Sequence, residues 1–286
     1  MRDGSQQAFV ERALLREPVN VIAVTSGKGG VGKTNVAANL AVALGQRRRN
    51  VMLLDADLSL ANVDVLLGLQ PRFNLSHVVS GDVDLVSTIM HGPAGVRIVP
   101  ATSGNYAMTE LAPALQAAII HAFSELVDQP EILIVDTAAG ISPAVARFVQ
   151  ASQQAVVVVC DEPASITDAY ALIKVFSRHY GVSHFQVVTN QTGNAAEGHR
   201  LFDKIRRVSD SYLDVVLRHL GNIPRDRMLR RAVQEQRAVV DAYPNSSSSE
   251  ALRQIAERLE QSRGRSASGT LEFFLERLLS SDGSSS

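Results

Sequence analysis

Short apolar runs alternate with longer segments of helical periodicity along this chain. Continuous apolar, often β-branched runs are typical of strands that are buried on both faces of a sheet. They occur at residues 19–26, 51–55, 131–136, 155–161 and 185–190, with a weaker candidate at 96–100. Helical patterns occur at residues 35–44, 110–127, 166–179 and 250–260. The alternation predicts an α/β fold, a doubly wound and mainly parallel sheet with helices on both faces, and ligands are expected at the carboxyl ends of its strands.

Composition narrows the class of protein without identifying it. The chain has 286 residues, 45% of them hydrophobic, and a net charge of −1, so bulk charge favours no nucleic-acid role. The single cysteine, Cys160, excludes a disulfide framework within one chain and favours a reducing compartment. No apolar run approaches the roughly 18 residues of a membrane span, and residues 1–18 lack the apolar core of a signal peptide. We therefore expect a cytoplasmic protein.

One motif predicts phosphate binding. Residues 27–34 read GKGGVGKT and fit the phosphate-binding loop G-x-x-x-x-G-K-[ST]. Successive backbone N–H groups of such a loop point at phosphate oxygens, and the following helix adds its dipole. Lys33 is expected to reach the β- and γ-phosphates, and the Thr34 hydroxyl to bind Mg²⁺. ATP and Mg²⁺ are the cofactors predicted. The nucleotide-binding residues predicted here are Gly27, Lys28, Gly29, Gly30, Val31, Gly32, Lys33, Thr34 and Asn35.

Three aspartates follow predicted strands and are candidates for the metal and water chemistry. Carboxylates near phosphates hold Mg²⁺ through water or orient a nucleophilic water. We predict a metal site from Asp55, Asp57 and Asp136 together with Thr34. The Gly140 amide could approach a γ-phosphate closely. A helix cap or turn remains the alternative for Asp55 and Asp57.

The position of Lys28 within the phosphate-binding loop resembles the pattern of a known protein family. A lysine directly after the first glycine is similar to the deviant Walker A family, which includes MinD, ParA, the nitrogenase iron protein and the arsenical pump ATPase. The resemblance implies that Lys28 contacts nucleotide across a dimer interface and that Asp57 positions the attacking water, which makes Lys28, Lys33 and Asp57 the catalytic candidates. One cysteine per chain argues against an iron–sulfur cluster bridging a dimer.

Two later segments are candidates for contacting the adenine base in the predicted nucleotide site. Asn190 ends a predicted strand, and its amide can donate and accept hydrogen bonds at a base edge. Residues 221–226 (GNIPRD) resemble the G-x-I-P loop that lies beside the base in this family, which implies base contacts for Pro224 and Asp226. Either segment could instead be a simple turn.

Longer segments resemble the FleN/FlhG flagellar-number regulators, which are MinD-like ATPases. The matching stretches are residues 53–69, 96–104, 135–142, 159–174 and 271–279. This resemblance implies an ATP-dependent homodimer and two partners, the flagellar transcription activator FleQ and the SRP-type GTPase FlhF. It also implies reversible association with the cytoplasmic membrane at the cell pole. The N-terminal D-Q-A-x-x-L-R motif is only partly kept, because residues 6–12 read QQAFVER.

The C-terminal segment predicts a membrane-targeting amphipathic helix. Leu271, Phe274, Leu275 and Leu278 share one helical face, which Phe273 and Leu279 widen. Packing on its own domain or on a partner is the alternative. The expected organisation is therefore an N-terminal arm at 1–18, a P-loop ATPase domain at 19–261, a linker at 262–269 and the helix with its tail at 270–286.

Three other functions compete with a slow, Mg-dependent ATPase switch that restrains FleQ. A ParA-type partition ATPase would bind DNA non-specifically, with steep salt dependence. A MinD-type division-site regulator would share the membrane helix. A binding module would hold ATP without turnover. The basic runs at 47–49 and 225–231 are expected to be solvated faces, and we expect no direct, specific DNA binding.

Overall fold

The computed structural model describes residues 19–57, 62–101, 123, 126 and 128–262. Its described strands form one sheet with the order β3-β4-β2-β5-β1-β6-β7-β8. All neighbours pair in parallel except β3 and β4, which pair antiparallel at the edge. The strands are β1 (Asn20–Thr25), β2 (Val51–Ala56), β3 (Met90–His91), β4 (Arg97–Val99), β5 (Ile132–Thr137), β6 (Gln154–Cys160), β7 (His184–Thr192) and β8 (Val216–Pro224).

The described helices follow the strands as a doubly wound fold requires. They are α1 (Lys33–Gln46), α2 (Val63–Leu66), α3 (Leu75–Val79), α4 (Pro143–Ala151), α5 (Pro163–Tyr180), α6 (Ala195–Tyr212), α7 (Arg227–Gln234), α8 (Val239–Ala242) and α9 (Ser247–Gln261). Short 3₁₀ turns lie at Val86–Thr88 and Pro93–Gly95.

Alternate residues of the central strands enter cores on opposite faces of the sheet. In β1, Ile22 and Val24 pack in the core that contains α1 and α9, whereas Ala23 packs in the core of α4, α5 and α6. Side chains of successive strand residues point to opposite faces, so a strand covered on both sides must be apolar at nearly every position. This is why β1, β5 and β6 read as unbroken apolar runs.

The predicted fold class is confirmed, as are the predicted strands and the helices at 35–44, 166–179 and 250–260, with shifted ends. The analysis of apolar runs missed β8, because its exposed start alternates Val216, Leu217, Arg218 and His219 at the sheet edge. Most of the helix predicted at 110–127 lies outside the described residues, as do the N-terminal arm, nearly all of the linker and the C-terminal segment.

No helix among the described residues has the length and hydropathy needed to cross a membrane.

Candidate functional site

The phosphate-binding loop connects the carboxyl end of β1 to α1, and its glycines are required by close packing. A Cβ atom on Gly27 would lie 2.3 Å from the backbone of Asp168 in α5. Gly32 has φ +88°, and a Cβ there would lie 2.6 Å from Nδ2 of Asn190. Both positions therefore exclude larger residues, for steric reasons and, at Gly32, also because of the left-handed backbone conformation.

Lys33 forms a buried ion pair with Asp136 at the end of β5. The Nζ–Oδ1 distance is 2.6 Å, and the two side chains are 7% and 1% exposed. The Lys33 ammonium also lies 3.3 Å from Oγ1 of Thr34. Burial raises the pKa of Asp136, and the nearby Lys33 charge opposes that shift. The structure thus brings Lys33, Thr34 and Asp136 together at the carboxyl ends of β1 and β5.

The residues present suit a magnesium ion held mainly through water and phosphate. Oδ2 of Asp136 is buried and has no hydrogen-bond partner, so an acceptor already faces this point. Mg²⁺ is usually held by one or two carboxylates, several waters and substrate phosphates, so few protein ligands are needed. Within the described part of the chain, no three His, Cys, Asp or Glu side chains converge as a metal site. Thr34 and Asp136 are therefore the residues that would hold the ion beside bound phosphate.

Asp55 organises the segment after β2. Its Oδ1 accepts a hydrogen bond from the Asp57 amide at 3.0 Å, and its Oδ2 accepts from the amides of Asn62 and Val63 at 3.1 and 3.2 Å. Burial, followed by the Asp136 carboxylate, raises the pKa of Asp55 to about 7. The support that we expected Asp55 to give a metal site would therefore be indirect, through the position of Asp57 and α2.

Asp57 and Gly140 follow two neighbouring strands, β2 and β5, on the same side of β1 in the sheet. Asp57 is partly buried and lines the same cleft as Lys33 and Thr34. The Gly140 amide donates to the carbonyl oxygen of Ser26 at 2.8 Å, with φ +96° at Gly140. To sense a γ-phosphate as predicted, this amide would have to exchange the Ser26 carbonyl for a phosphate oxygen.

Lys28 has a partner in its own chain. Its Nζ lies 2.8 Å from Oε2 of Glu162, the residue that directly precedes α5, and the side chains are 34% and 57% exposed. The hydrogen bond to Glu162 and the charge of its carboxylate raise the pKa of Lys28. Sequence reasoning did not find Glu162, because the two residues are 134 positions apart.

The cleft above the phosphate loop is open and has a volume of about 1430 Å³. Asn190, Pro224 and Asp226, the three predicted base-contact residues, all line it. It is also lined by apolar and basic residues of α2 and α7, among them Val65, Leu229, Val233, Arg227 and Arg230. This part of the lining was not predicted, because the two helices are far apart in the sequence.

Asn190 and Asp226 also support the backbone around the cleft. Asn190 donates from Nδ2 to the carbonyl oxygen of Val31 at 2.8 Å, so it braces the phosphate loop directly. Asp226 caps α7 by accepting from the Met228 amide at 2.8 Å, and it also accepts from the amide and hydroxyl of Ser248. Their visible contacts are thus structural ones at the rim of the predicted base site.

His219 of β8 lies between a threonine of β7 and a histidine of α6. Nε2 of His219 is 3.0 Å from Oγ1 of Thr189, and its Nδ1 is 3.1 Å from Nδ1 of His199. Partial burial, followed by the neighbouring His199, lowers the pKa of His219 to about 4. The imidazole is therefore neutral near pH 7.

The two basic runs are partly neutralised within the chain. Arg47 and Arg49 both pair with Glu260 at the end of α9. Arg231 pairs with Glu235 at 2.9 Å. Cys160 is buried at the end of β6, where it packs in the hydrophobic core.

Comparison with known proteins agrees with this architecture. A family model, ParA, described as NUBPL iron-transfer P-loop NTPase, matches residues 17–260. The antiactivator FleN of Pseudomonas aeruginosa is 52% identical over 263 residues, which is 92% of this chain and 94% of that protein. The flagellum site-determining protein YlxH of Helicobacter pylori is 32% identical over 90% of this chain and 89% of its own length.

A solved structure extends the comparison to three dimensions. The septum site-determining protein MinD of Pyrococcus horikoshii, complexed with Mg-ADP, superimposes with a TM-score of 0.68 at 25% identity. The match covers 87% of this chain and 99% of that one. Together with the phosphate loop, the paired Lys33 and Asp136, and the parallel sheet, these matches show that the chain belongs to the ParA/MinD family of P-loop NTPases, in the group that contains FleN and YlxH.

Proposed function

We propose that this chain is an ATP-dependent dimerisation switch that restrains the flagellar transcription activator FleQ and so limits the number of flagella. The observation that carries the proposal is the combination of a two-lysine phosphate loop with 52% identity to an antiactivator over nearly the whole chain. In this proposal ATP and Mg²⁺ bind between the phosphate loop, Asp57 and Asp136. Hydrolysis is slow, so the ATP-bound state lasts long enough to act as a timed switch.

The chain's own residues have separate roles in this mechanism. Lys33 leaves Asp136 and reaches the phosphates. Thr34 and Asp136 would hold Mg²⁺, which would supply charge neutralisation at the phosphates. Asp57 orients the attacking water. Lys28 leaves Glu162 and contacts the nucleotide of the second protomer, which makes dimerisation depend on the γ-phosphate. The loop before α7 lies beside the base, with Asn190 bracing the phosphate loop.

Membrane association is the second part of the proposal. Residues 270–279, which lie outside the described residues, would place the ATP dimer on the cytoplasmic membrane, at the cell pole. FlhF is a further proposed partner. Asp57→Ala protein, which should bind ATP without hydrolysing it, would be sedimented with anionic liposomes in ATP and in ADP. Pelleting with ATP alone is expected, and no pelleting with either nucleotide would remove the membrane role.

Restraint of the activator is tested with purified proteins. FleQ-dependent transcription from a flagellar promoter would be measured with the wild-type chain in ATP and in ADP, and with Lys33→Ala protein as the control that cannot hold phosphate. Transcription should fall only with wild-type protein and ATP. Equal transcription under all these conditions would overturn the proposed function.

A further inference from the structure

Two histidines from different elements meet between α6 and β8. His199 lies on α6 and His219 on β8, and their Nδ1 atoms are 3.1 Å apart. The two rings are nearly perpendicular, with centroids 4.6 Å apart. The ring of His219 is half-buried and stacks on Phe202 with centroids 5.0 Å apart, so packing fixes its orientation, whereas His199 is exposed. We call His199 and His219 the histidine pair.

The hydrogen bonds of Thr189 determine which ring nitrogen of His219 carries the proton. His219 is neutral near pH 7, because partial burial and then His199 lower its pKa to about 4. Its Nε2 lies 3.0 Å from the Thr189 hydroxyl, and that hydroxyl has two further neighbours at 3.3 Å, the carbonyl oxygen of Gly221 and Oδ1 of Asn222. Both of these are acceptors, so one of them takes the single hydroxyl hydrogen, and the hydroxyl oxygen accepts from Nε2–H. Nδ1 of His219 is therefore unprotonated, with its lone pair available on the side of His199.

This arrangement is typical of a histidine that ligates a metal ion. Such a histidine usually donates its second ring N–H to an acceptor in the protein, which fixes the tautomer, as Thr189 does for His219. A zinc ion lies about 2.0–2.1 Å from each ligating nitrogen, so two nitrogens at a tetrahedral angle are about 3.4 Å apart. The two Nδ1 atoms of the histidine pair, at 3.1 Å, are close to that separation.

We propose that the histidine pair binds a divalent transition-metal ion such as Zn²⁺ through its two Nδ1 atoms. Imidazole nitrogens suit zinc, copper and nickel ions. Asp203 follows His199 by one turn of α6 and would supply a third ligand after leaving Arg206, with which it pairs at 3.0 Å on the surface. Water would complete the coordination. Only two ligands are already in place, which is why no group of three converges there among the described residues.

The bound ion would join α6 to β8 and so stabilise the fold. The two histidines are 20 positions apart, so the pair forms only when the helix packs on the strand. A ligand that binds the folded chain and not the unfolded one shifts the equilibrium towards the folded chain. We therefore expect Zn²⁺ to raise the urea concentration at which the nucleotide-free chain unfolds. This site does not depend on the proposed function.

The test is isothermal titration calorimetry of the nucleotide-free full chain, without a histidine tag, with zinc chloride near pH 7. His199→Ala should weaken zinc binding about tenfold or more, since loss of even an outer-shell partner of a metal site costs that much. His219→Gln should do the same, and Asp203→Asn should weaken binding less. His179→Ala is the matched control, because His179 is an exposed histidine on another helix, α5.

Zinc binding that is weakened in both histidine-pair variants and unchanged in His179→Ala would support the site. Equal zinc affinity in His199→Ala and the wild type would overturn it, and the contact between the Nδ1 atoms would then be an ordinary hydrogen bond. Absence of zinc binding by the wild-type chain would overturn it too.

Urea unfolding with and without zinc chloride gives a second measurement that does not rely on the half-buried His219. Zinc should raise the unfolding midpoint of the wild type and of His179→Ala but not that of His199→Ala, whose substitution lies on the surface. Equal increases in the wild type and His199→Ala would overturn the site. Restraint of FleQ is measured separately, so failure of the metal site leaves the proposed function standing.

Discussion

The two lysines of the phosphate loop are both paired with a carboxylate, but in opposite environments. Lys33 and Asp136 are 7% and 1% exposed, whereas Lys28 and Glu162 are 34% and 57% exposed. Removing one member of a buried pair leaves an uncompensated charge in a medium that solvates it poorly, while an exposed pair is screened by water and salt. The comparison teaches that separating Lys33 from Asp136 is costly unless phosphate takes the place of the carboxylate, whereas Lys28 can change partners at little cost.

The largest effect is expected from Lys33→Ala. It should abolish ATP binding and lower the unfolding free energy of the nucleotide-free chain by roughly 3 kcal/mol, because Asp136 stays buried without its cation. Urea unfolding and nucleotide titration check this. A Lys33→Met, Asp136→Asn double variant is the control, and it should regain stability without regaining ATP binding. If the Lys33→Ala protein is as stable as the wild type, the buried Lys33–Asp136 pair does not stabilise the fold.

The next effect concerns Lys28 and separates binding from dimerisation. Lys28→Ala should bind ATP as a monomer with nearly normal affinity but should fail to dimerise, since its proposed contact lies across the interface. Light scattering in ATP and in ADP, combined with nucleotide titration, measures the two properties. Lys174→Ala, a lysine of α5 away from the cleft lining, is the control. Full ATP-dependent dimerisation by Lys28→Ala would rule out the cross-dimer role.

The magnesium dependence of ATP binding should change when Asp136 is altered but not when the exposed Lys28–Glu162 pair is altered. Chelation of Mg²⁺ with EDTA should weaken ATP binding by the wild type, because the ion neutralises charge on the phosphate oxygens. Asp136→Asn should bind ATP more weakly than the wild type and respond less to chelation, because its amide cannot replace the carboxylate near the ion. Glu162→Gln should keep the wild-type response. An unchanged magnesium response in Asp136→Asn would exclude Asp136 from the metal site.

The smallest effect is expected from Glu162→Gln. Removing the charge that holds Lys28 should lower the ATP concentration needed for dimerisation a few-fold, and raising the salt concentration should reduce the difference from the wild type. Glu197→Gln, which alters a carboxylate beside Gly193 instead, is the matched control. If Glu162→Gln needs more ATP than the wild type, Glu162 supports the dimer rather than opposing it.

Local signals in the sequence predicted much of the fold. The apolar runs of β1, β5 and β6 follow from burial on both faces, and the phosphate loop follows from glycines and a lysine at fixed spacing. Edge strand β8 has no such signal, because one end is exposed to solvent. Gly27 was assigned to phosphate binding alone, and its close approach to Asp168 could not be foreseen from residues 27–34.

The sequence by itself determined the chemistry available: two lysines, three aspartates at strand ends, and a family resemblance that the comparisons with FleN and YlxH bear out. Tertiary structure alone decided which carboxylate each lysine meets. The members of the pairs lie 103 and 134 residues apart, and their burial depends on how helices close over the sheet. The spacing of residues along a chain predicts local structure. The electrostatic energy of an ion pair depends instead on how much water reaches it, and the tertiary structure determines that exposure.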